Sequence, residues 1–178
     1  MEAFKVKKHK KHNKKRGFSL IELLIVVAII LIIAAIAIPN LLRSRIAANE
    51  ASAVGSLRTL NTAEITYNTT YPNVGFACSL PTLGPPASGA SATSSAAGLI
   101  DSNLAGGVKS GYDFTLLSSA CAPANGIKTT YDYAASPISP GVTGQRYFCT
   151  DLSGVIQFSQ TAAFTDNSGV CSTGGTPI

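Results

Sequence analysis

A single carboxylate interrupts the longest apolar run of the sequence. Residues 18–38 read FSLIELLIVVAIILIIAAIAI, and only Ser19 and Glu22 in this run are polar. A carboxylate in hydrocarbon costs a few kcal/mol and usually marks a functional contact. If the chain were cut between Gly17 and Phe18, a new α-amino group would lie about one helical turn from Glu22. A helix cannot easily fold that amine onto its own carboxylate, so we expect charge pairing with the Glu22 of a neighbouring copy.

The remaining reactive residue types form no catalytic or metal-binding pattern. Both histidines, His9 and His12, lie in the basic start of the chain, which excludes histidine catalysis and histidine metal sites from the rest. The acids are scattered without the spacing of a calcium loop, and residues 106–110 lack the pattern of a phosphate loop. We therefore expect no catalytic residue, no cofactor and no metal. Chemistry based on Ser, Lys and Asp leaves a membrane-anchored or secreted enzyme as a remote alternative.

Four cysteines follow the apolar run: Cys78, Cys121, Cys149 and Cys171. They have no C-x-x-C spacing and no nearby histidine, which argues against zinc. An even count in an exported domain favours two disulfides, with three possible connectivities. We favour pairing the first two cysteines and the last two, which would brace a long loop and the carboxyl-terminal tail. The other connectivities and free buried thiols stay open.

Basic residues are concentrated ahead of the apolar run. The 178-residue chain has 14 Lys+Arg and a formal net charge of +5, but residues 1–16 alone hold eight basic residues and one acid. The run of residues 18–38 would be about 31 Å long as a helix, which matches a hydrocarbon core of roughly 30 Å. Its basic flank places the amino terminus in the cytoplasm. Because the basic residues are not spread over a folded domain, nucleic acid is not predicted as a direct ligand.

Two other interpretations of the apolar run are open. A cleaved secretory signal is one, since residues 35–37 (AIA) resemble its cleavage site. Its apolar core is usually roughly 7–15 residues, which is shorter than this run. A plain membrane anchor for an external domain fits the length and the orientation equally well. Neither interpretation explains Glu22.

An amphipathic pattern continues beyond Pro39. We expect one helix over residues 18–71, about 80 Å long, kinked or loosened at Pro39 and ended by Pro72. Apolar residues at helical spacing are expected to pack on an external domain, with the polar residues on the other faces. The predicted apolar stripe is Leu42, Ile46, Ala53, Leu57 and Leu60, and the predicted polar faces include Glu50, Asn61 and Glu64.

Short β patterns occupy the last third of the chain, separated by turn-rich segments. They predict an antiparallel sheet, one face of which is covered by the outer half of the helix, in an α+β fold. Residues 79–98 are uncharged and rich in Pro, Gly, Ser and Ala, which predicts a surface loop. The predicted strands are 112–117, 130–133, 145–150 and 155–158, with turns at 123–126, 137–144 and 151–154, the last forming a hairpin.

The segment KRGFSLIE at residues 15–22, followed by the apolar run and Pro39, resembles the amino terminus of type IV prepilins and related type II secretion pseudopilins. The resemblance implies that a prepilin peptidase cuts after Gly17 and methylates the new amino-terminal Phe18. It also implies that Glu22 is the carboxylate needed for filament assembly and that Pro39 loosens the helix. The leader of 17 residues is longer than is typical of pilins whose mature chain begins with Phe.

The resemblance and the patterns together divide the chain into four segments. Residues 1–17 are expected to form a cleaved basic leader, 18–38 a transmembrane and polymerisation helix, and 39–71 its amphipathic continuation. Residues 72–178 are expected to form a disulfide-braced globular head that contains the loop at 79–98 and the antiparallel sheet.

The implied function is structural and not enzymatic. We expect the major pilin of a type IV pilus, a homopolymer that serves adhesion, twitching motility, biofilm formation or DNA uptake. Its implied partners are the prepilin peptidase, an inner-membrane assembly platform and, before assembly, the membrane itself. The precursor would be a single-pass inner-membrane protein and the product an extracellular pilus. The alternatives are a minor pilin or a type II secretion pseudopilin, although the absence of an acidic calcium-binding pattern and the four cysteines argue against the main pseudopilin.

Overall fold

The computed structural model describes residues 17–77, 79–117, 126–165, 171 and 175–178. Contacts within the chain group it into two compact units, Met1–Asn40 and Leu41–Ile178. In the described part of the first unit, the structure is helical from Leu20 onward. The second unit contains the rest of this helix, two short helices and a β-sheet, in agreement with the predicted α+β fold.

The long helix, α1, spans Leu20–Thr70 and has 51 residues, close to the predicted range. At its carboxyl end, the Tyr71 amide still donates to the Tyr67 carbonyl (2.8 Å). The next residue, Pro72, has no amide proton, so the helical hydrogen-bond pattern cannot continue through it. Pro39 lies inside α1 without a break in the helical assignment, and the kink expected there stays a prediction.

Six strands form one antiparallel sheet in which each strand pairs with the next along the chain. The turn between the first two consists of Ser110 and Gly111, both with left-handed φ (50° and 75°). This is the two-residue turn whose twist matches that of a hairpin. The strands are β1 Val108–Lys109, β2 Tyr112–Leu116, β3 Asp132–Pro137, β4 Tyr147–Asp151, β5 Ile156–Ser159 and β6 Thr176–Pro177.

The four predicted strands are present; three have bounds within two residues of the prediction, and the fourth is longer than predicted. The strand predicted at 130–133 is β3, which begins at Asp132 and extends to Pro137, into the predicted turn at 137–144. Ala134 and Ala135 hid this strand because alanine is depleted in strands; here both are buried and pair with β2 and β4. The hairpin predicted at 151–154 joins β4 to β5. The edge strands β1 and β6 have two residues each and were not predicted.

Residues 79–98 are not a plain surface loop. They begin with a short helix, α2 (Leu80–Leu83), whose two leucines are buried. The Ala97 amide returns to donate to the Thr82 carbonyl (2.8 Å), so the end of the segment folds back onto α2. A second short helix, α3, was also not predicted. It spans Ser102–Ala105.

The core of the second unit lies between α1 and the sheet. Four members of the predicted apolar stripe are buried, whereas Leu42 is 42% exposed, so the predicted stripe is wrong at that end. Three residues that were placed on the polar faces are buried as well: Glu50, Asn61 and Glu64. The largest fully buried side chains include Tyr67, Tyr112, Tyr131, Tyr133 and Phe148.

A disulfide joins Cys149 in β4 to Cys171, 22 residues further along the chain, as predicted. Both half-cystines are buried. The Cys171 amide also donates to Asp151 Oδ2 (3.1 Å), so the tail is held to β4 twice. The predicted partners Cys78 and Cys121 lie outside the described residues.

Candidate assembly segment

The apolar part of α1 presents its side chains outward. It is long and apolar enough to cross a membrane, and none of its most apolar 18-residue stretch is buried. A core helix of a soluble protein would be mostly buried, but here Ile25, Ile33 and Ile38 are each at least half exposed. A helix that is apolar on every face must be covered by lipid or by other helices.

The peptide bond between Gly17 and Phe18 precedes α1 and is accessible. The Phe18 side chain is 87% exposed. Gly17 does not have a left-handed φ, and a Cβ added to it would meet nothing within 4 Å. Within the described residues, the conformation of the chain therefore gives no steric reason for glycine at this position.

Glu22 lies in the first turn of α1, where its carboxylate is exposed to the surroundings. Its Oε2 accepts a hydrogen bond from the Ser19 amide (2.9 Å). This amide is one of the donors that a helix start leaves without an intrahelical partner. The spacing Ser19-x-x-Glu22 is that of a capping box, so the sequence also carries a signal for a helix start at this point. Among the described residues, Oε1 has no such donor.

A second glutamate of α1, Glu50, anchors the helix to the approach to β4. Its Oε1 accepts from the amides of Gln145 (2.9 Å) and Arg146 (3.1 Å). Its Oε2 accepts from Arg146 Nε (2.8 Å) in an ion pair in which the Glu50 side chain is only 8% exposed. The carboxylate is therefore satisfied within the chain despite its burial, as a buried charge requires.

A third glutamate, Glu64, is fully buried between α1, β3 and the segment after the helix. The Tyr133 hydroxyl donates to its Oε1 (2.5 Å), and the Ala77 amide donates to its Oε2 (2.8 Å). Burial raises the pKa of Glu64 to about 7, although the two hydrogen bonds and the charge of Lys128 act in the opposite direction. Desolvation of the charged form is the larger effect here.

The spacing of these polar residues along α1 indicates that they are buried. Glu50, Ala53 and Leu57 follow at spacings of three and four, so Glu50 shares a helix face with the apolar stripe. Asn61 and Glu64 extend this face by the same spacings. Asn61 Nδ2 donates to Thr150 Oγ1 (2.9 Å) in β4. A polar residue in register with an apolar stripe indicates a buried hydrogen bond rather than a solvated surface.

No metal site is found in the described part of the chain, where no three His, Cys, Asp or Glu side chains are grouped closely enough to hold an ion. Three acidic side chains each accept a hydrogen bond from a donor within the chain: Glu50, Glu64 and Asp101. Their arrangement is that of structural anchors.

One comparison with known proteins concerns the same amino-terminal segment. The prokaryotic N-terminal methylation motif matches residues 12–38, which include Gly17, Phe18 and Glu22. The chain is 51% identical over 51 residues to the type IV major pilin protein PilA of Myxococcus xanthus. That match covers 29% of this chain and 23% of the relative, so the chain spans about a quarter of the relative's length. No solved structure matches the chain significantly.

The chain thus carries the amino-terminal signature of a prepilin, joined to an α+β unit that is consistent with a pilin fold. The motif and the match show that the matched part of the chain is similar to the corresponding part of a type IV pilin. The apolar helix fits a membrane-anchored precursor.

Proposed function

We propose that the chain is the major subunit of a type IV pilus, made as a membrane-anchored precursor and polymerised through its amino-terminal helix. The observation that carries this proposal is the exposed apolar helix that has a single acidic residue, Glu22, in its first turn. Lipid can cover the apolar surface before assembly, and neighbouring helices can cover it afterwards. The small residues at 28, 34, 35 and 37, all Ala, would admit close helix packing.

Processing after Gly17 is the first step of this proposal. A prepilin peptidase would cut the accessible bond before Phe18 and methylate the new amine. The cut removes the strongly basic leader, so the mature subunit would be slightly acidic. The open surroundings of Gly17 support recognition of the glycine by the peptidase, because the chain itself does not need it there.

Pairing of Glu22 with the amine of a neighbour is the second step. The Ser19 amide engages only Oε2, so Oε1 could accept the α-amino group of another subunit. A charge-assisted hydrogen bond of this kind is about twice as strong as a neutral one. In the apolar surroundings of packed helices, it would also compensate for the cost of burying the carboxylate.

The wider role follows from the proposed filament. An inner-membrane assembly platform would extract the subunit from the bilayer, and the pilus would be extracellular. Adhesion, twitching motility, biofilm formation and DNA uptake are the functions open to such a filament. Pro39, at the end of the first unit, would loosen the helix during packing.

Processing can be tested by replacing Gly17 with Leu in cells that make the filament. We expect the leader to be retained and surface filaments labelled for this chain to disappear. Gly55→Leu is the matched control, since Gly55 also has open space around it but lies outside the cleavage site. This control should lose its leader normally. Leader removal in the Gly17→Leu chain at the normal rate would contradict the proposal, and long labelled filaments would distinguish a major pilin from a pseudopilin.

A further inference from the structure

A cleft of about 540 Å³ opens on the surface of the second unit. Its size falls within the roughly 300–1,000 Å³ of small-molecule sites. It lies where α1, the loop before β4 and the end of β5 meet. Its lining is polar with one aromatic side chain: Glu50, Gln145, Arg146, Tyr147, Gln160 and Thr161, together with Pro140 and Gly141.

Arg146 is fixed in this cleft by contacts on two sides. Its Nε donates to the buried carboxylate of Glu50 (2.8 Å). Its guanidinium carbon lies 5.4 Å from the ring centroid of Phe148 and 5.3 Å from that of Phe158. These are cation–π distances. The backbone of Arg146 is also held, because the Tyr112 hydroxyl donates to its carbonyl (2.8 Å).

The fixed arginine keeps donors available for a ligand. A guanidinium has five N–H donors in a planar fork, and only Nε is used by Glu50. The terminal nitrogens of Arg146 have no hydrogen-bond partner among the described residues. The side chains of Gln145, Gln160 and Thr161, all exposed, add further neutral donors and acceptors.

The charge of the cleft selects the class of ligand. Arg146 and Glu50 are the charged residues of the lining, and they neutralise each other. A polyanion would therefore meet no excess positive charge in this lining. A neutral ligand with paired hydroxyl groups could instead accept from the guanidinium fork and exchange hydrogen bonds with the two amides. We propose that this cleft binds a neutral polyhydroxylated ligand, namely the sugar units of an oligosaccharide or polysaccharide.

The test uses the full-length chain in detergent micelles on immobilised neutral oligosaccharides built from glucose, galactose or mannose. Acidic oligogalacturonides on the same surface and free inorganic phosphate are the anionic probes. Gln160→Ala would remove one hydrogen bond to the ligand. It should weaken binding to the neutral oligosaccharide that the unmodified chain binds, by roughly 2- to 10-fold. Thr161→Phe fills the cleft and should weaken it at least about tenfold, because it blocks the ligand sterically.

The matched controls lie outside the lining. Asn103→Ala removes an exposed amide in α3, and Thr165→Phe adds the same ring at another exposed threonine; both should bind as the unmodified chain does. Binding of acidic probes or phosphate alone would overturn the proposal. The proposal would also be overturned if the unmodified chain bound none of the neutral oligosaccharides, or if Thr161→Phe bound them as strongly as the unmodified chain does. The proposal does not depend on filament formation, so either could fail without the other.

Discussion

The three glutamates of α1 differ in where their partners lie. In the second unit, Glu50 and Glu64 are buried, and donors from the same chain satisfy both oxygens of each. In the first unit, Glu22 is exposed, and the described residues provide it with one donor, the Ser19 amide. The same residue type therefore makes hydrogen bonds that stabilise the fold of the second unit, whereas in the first unit one carboxylate oxygen is available to another molecule. This contrast supports an assembly role for Glu22 and structural roles for the other two.

Replacing Glu22 should have the largest effect. We expect Glu22→Ala to abolish surface filaments, because the neighbour's amine would be buried without a counter-charge. The fold of the second unit should be unchanged, since the hydrogen bond of Glu22 is made to Ser19, within the first unit. Electron microscopy of cells and immunoblotting of sheared filaments would measure the effect. Ser19→Ala, which keeps the backbone amide, is the control. Normal filaments from Glu22→Ala would remove the contrast between the glutamates.

Removal of the Cys149–Cys171 disulfide should weaken the second unit and leave the first unaffected. The bridge closes a segment with a sequence separation of 22 residues. Replacing both half-cystines with Ala should lower the free energy of unfolding by about 3 kcal/mol. Urea unfolding of the mature chain in micelles, with and without reductant, would measure this. If reductant had the same effect on the double variant as on the unmodified chain, the disulfide would not be the cause.

The buried Glu64 should make stability depend on pH. Burial raises its pKa from the ordinary value of about 4.5 to about 7 in the folded chain. Because the folded pKa is the higher one, the stabilisation is full below about pH 4.5 and is lost as the pH rises through 7. The loss should be on the order of 3 kcal/mol. Unfolding followed from pH 4 to 8 would detect it.

Glu64→Gln is the matched control for this pH dependence. Glutamine has nearly the same shape and no titrating group, so this component of the pH dependence should disappear. Glu50→Gln offers a contrast, because the ion pair of Glu50 with Arg146 would be broken at every pH in this range. An unchanged pH profile in Glu64→Gln would assign the titration to another group.

Close packing at Gly144 should produce the smallest of these effects. A Cβ added there would collide with the ring and hydroxyl of Tyr112. We expect Gly144→Ala to destabilise the second unit by about 1–3 kcal/mol. Gly55→Ala, in open space within α1, should instead stabilise it by up to about 1 kcal/mol. Thermal unfolding would measure both effects. Equal unfolding midpoints for the two variants would contradict the close packing of Tyr112 against Gly144.

Sequence patterns predicted the elements better than the contacts between them. The apolar run, the apolar periodicity after it and the stop at Pro72 predicted the bounds of α1 to within two residues. Aromatic and β-branched residues located the central strands, whereas the alanines of β3 concealed its extent. The two-residue edge strands are too short to carry a periodic signal and depend on pairing with their neighbours.

The candidate sites also differ in how far the sequence predicted them. Gly17, Phe18 and Glu22 are close together in the sequence, so a linear pattern could identify them. The anchors Glu50 and Glu64 contact residues that are 13 to 96 positions away along the chain. Such contacts depend on the tertiary fold, and only the helix-face register of these residues hinted at them. The cleft around Arg146 is assembled from three separate segments and has no linear signature.

Amino-terminal mass spectrometry of the chain from sheared surface filaments tests the central claim most directly. The account predicts a mature chain that begins at Phe18 and carries a methyl group on its α-amine. A chain that begins at Ile38 would indicate an ordinary signal peptide, and an intact Met1 would indicate a plain membrane anchor. Either result would contradict the proposal that the first unit is a processed assembly helix.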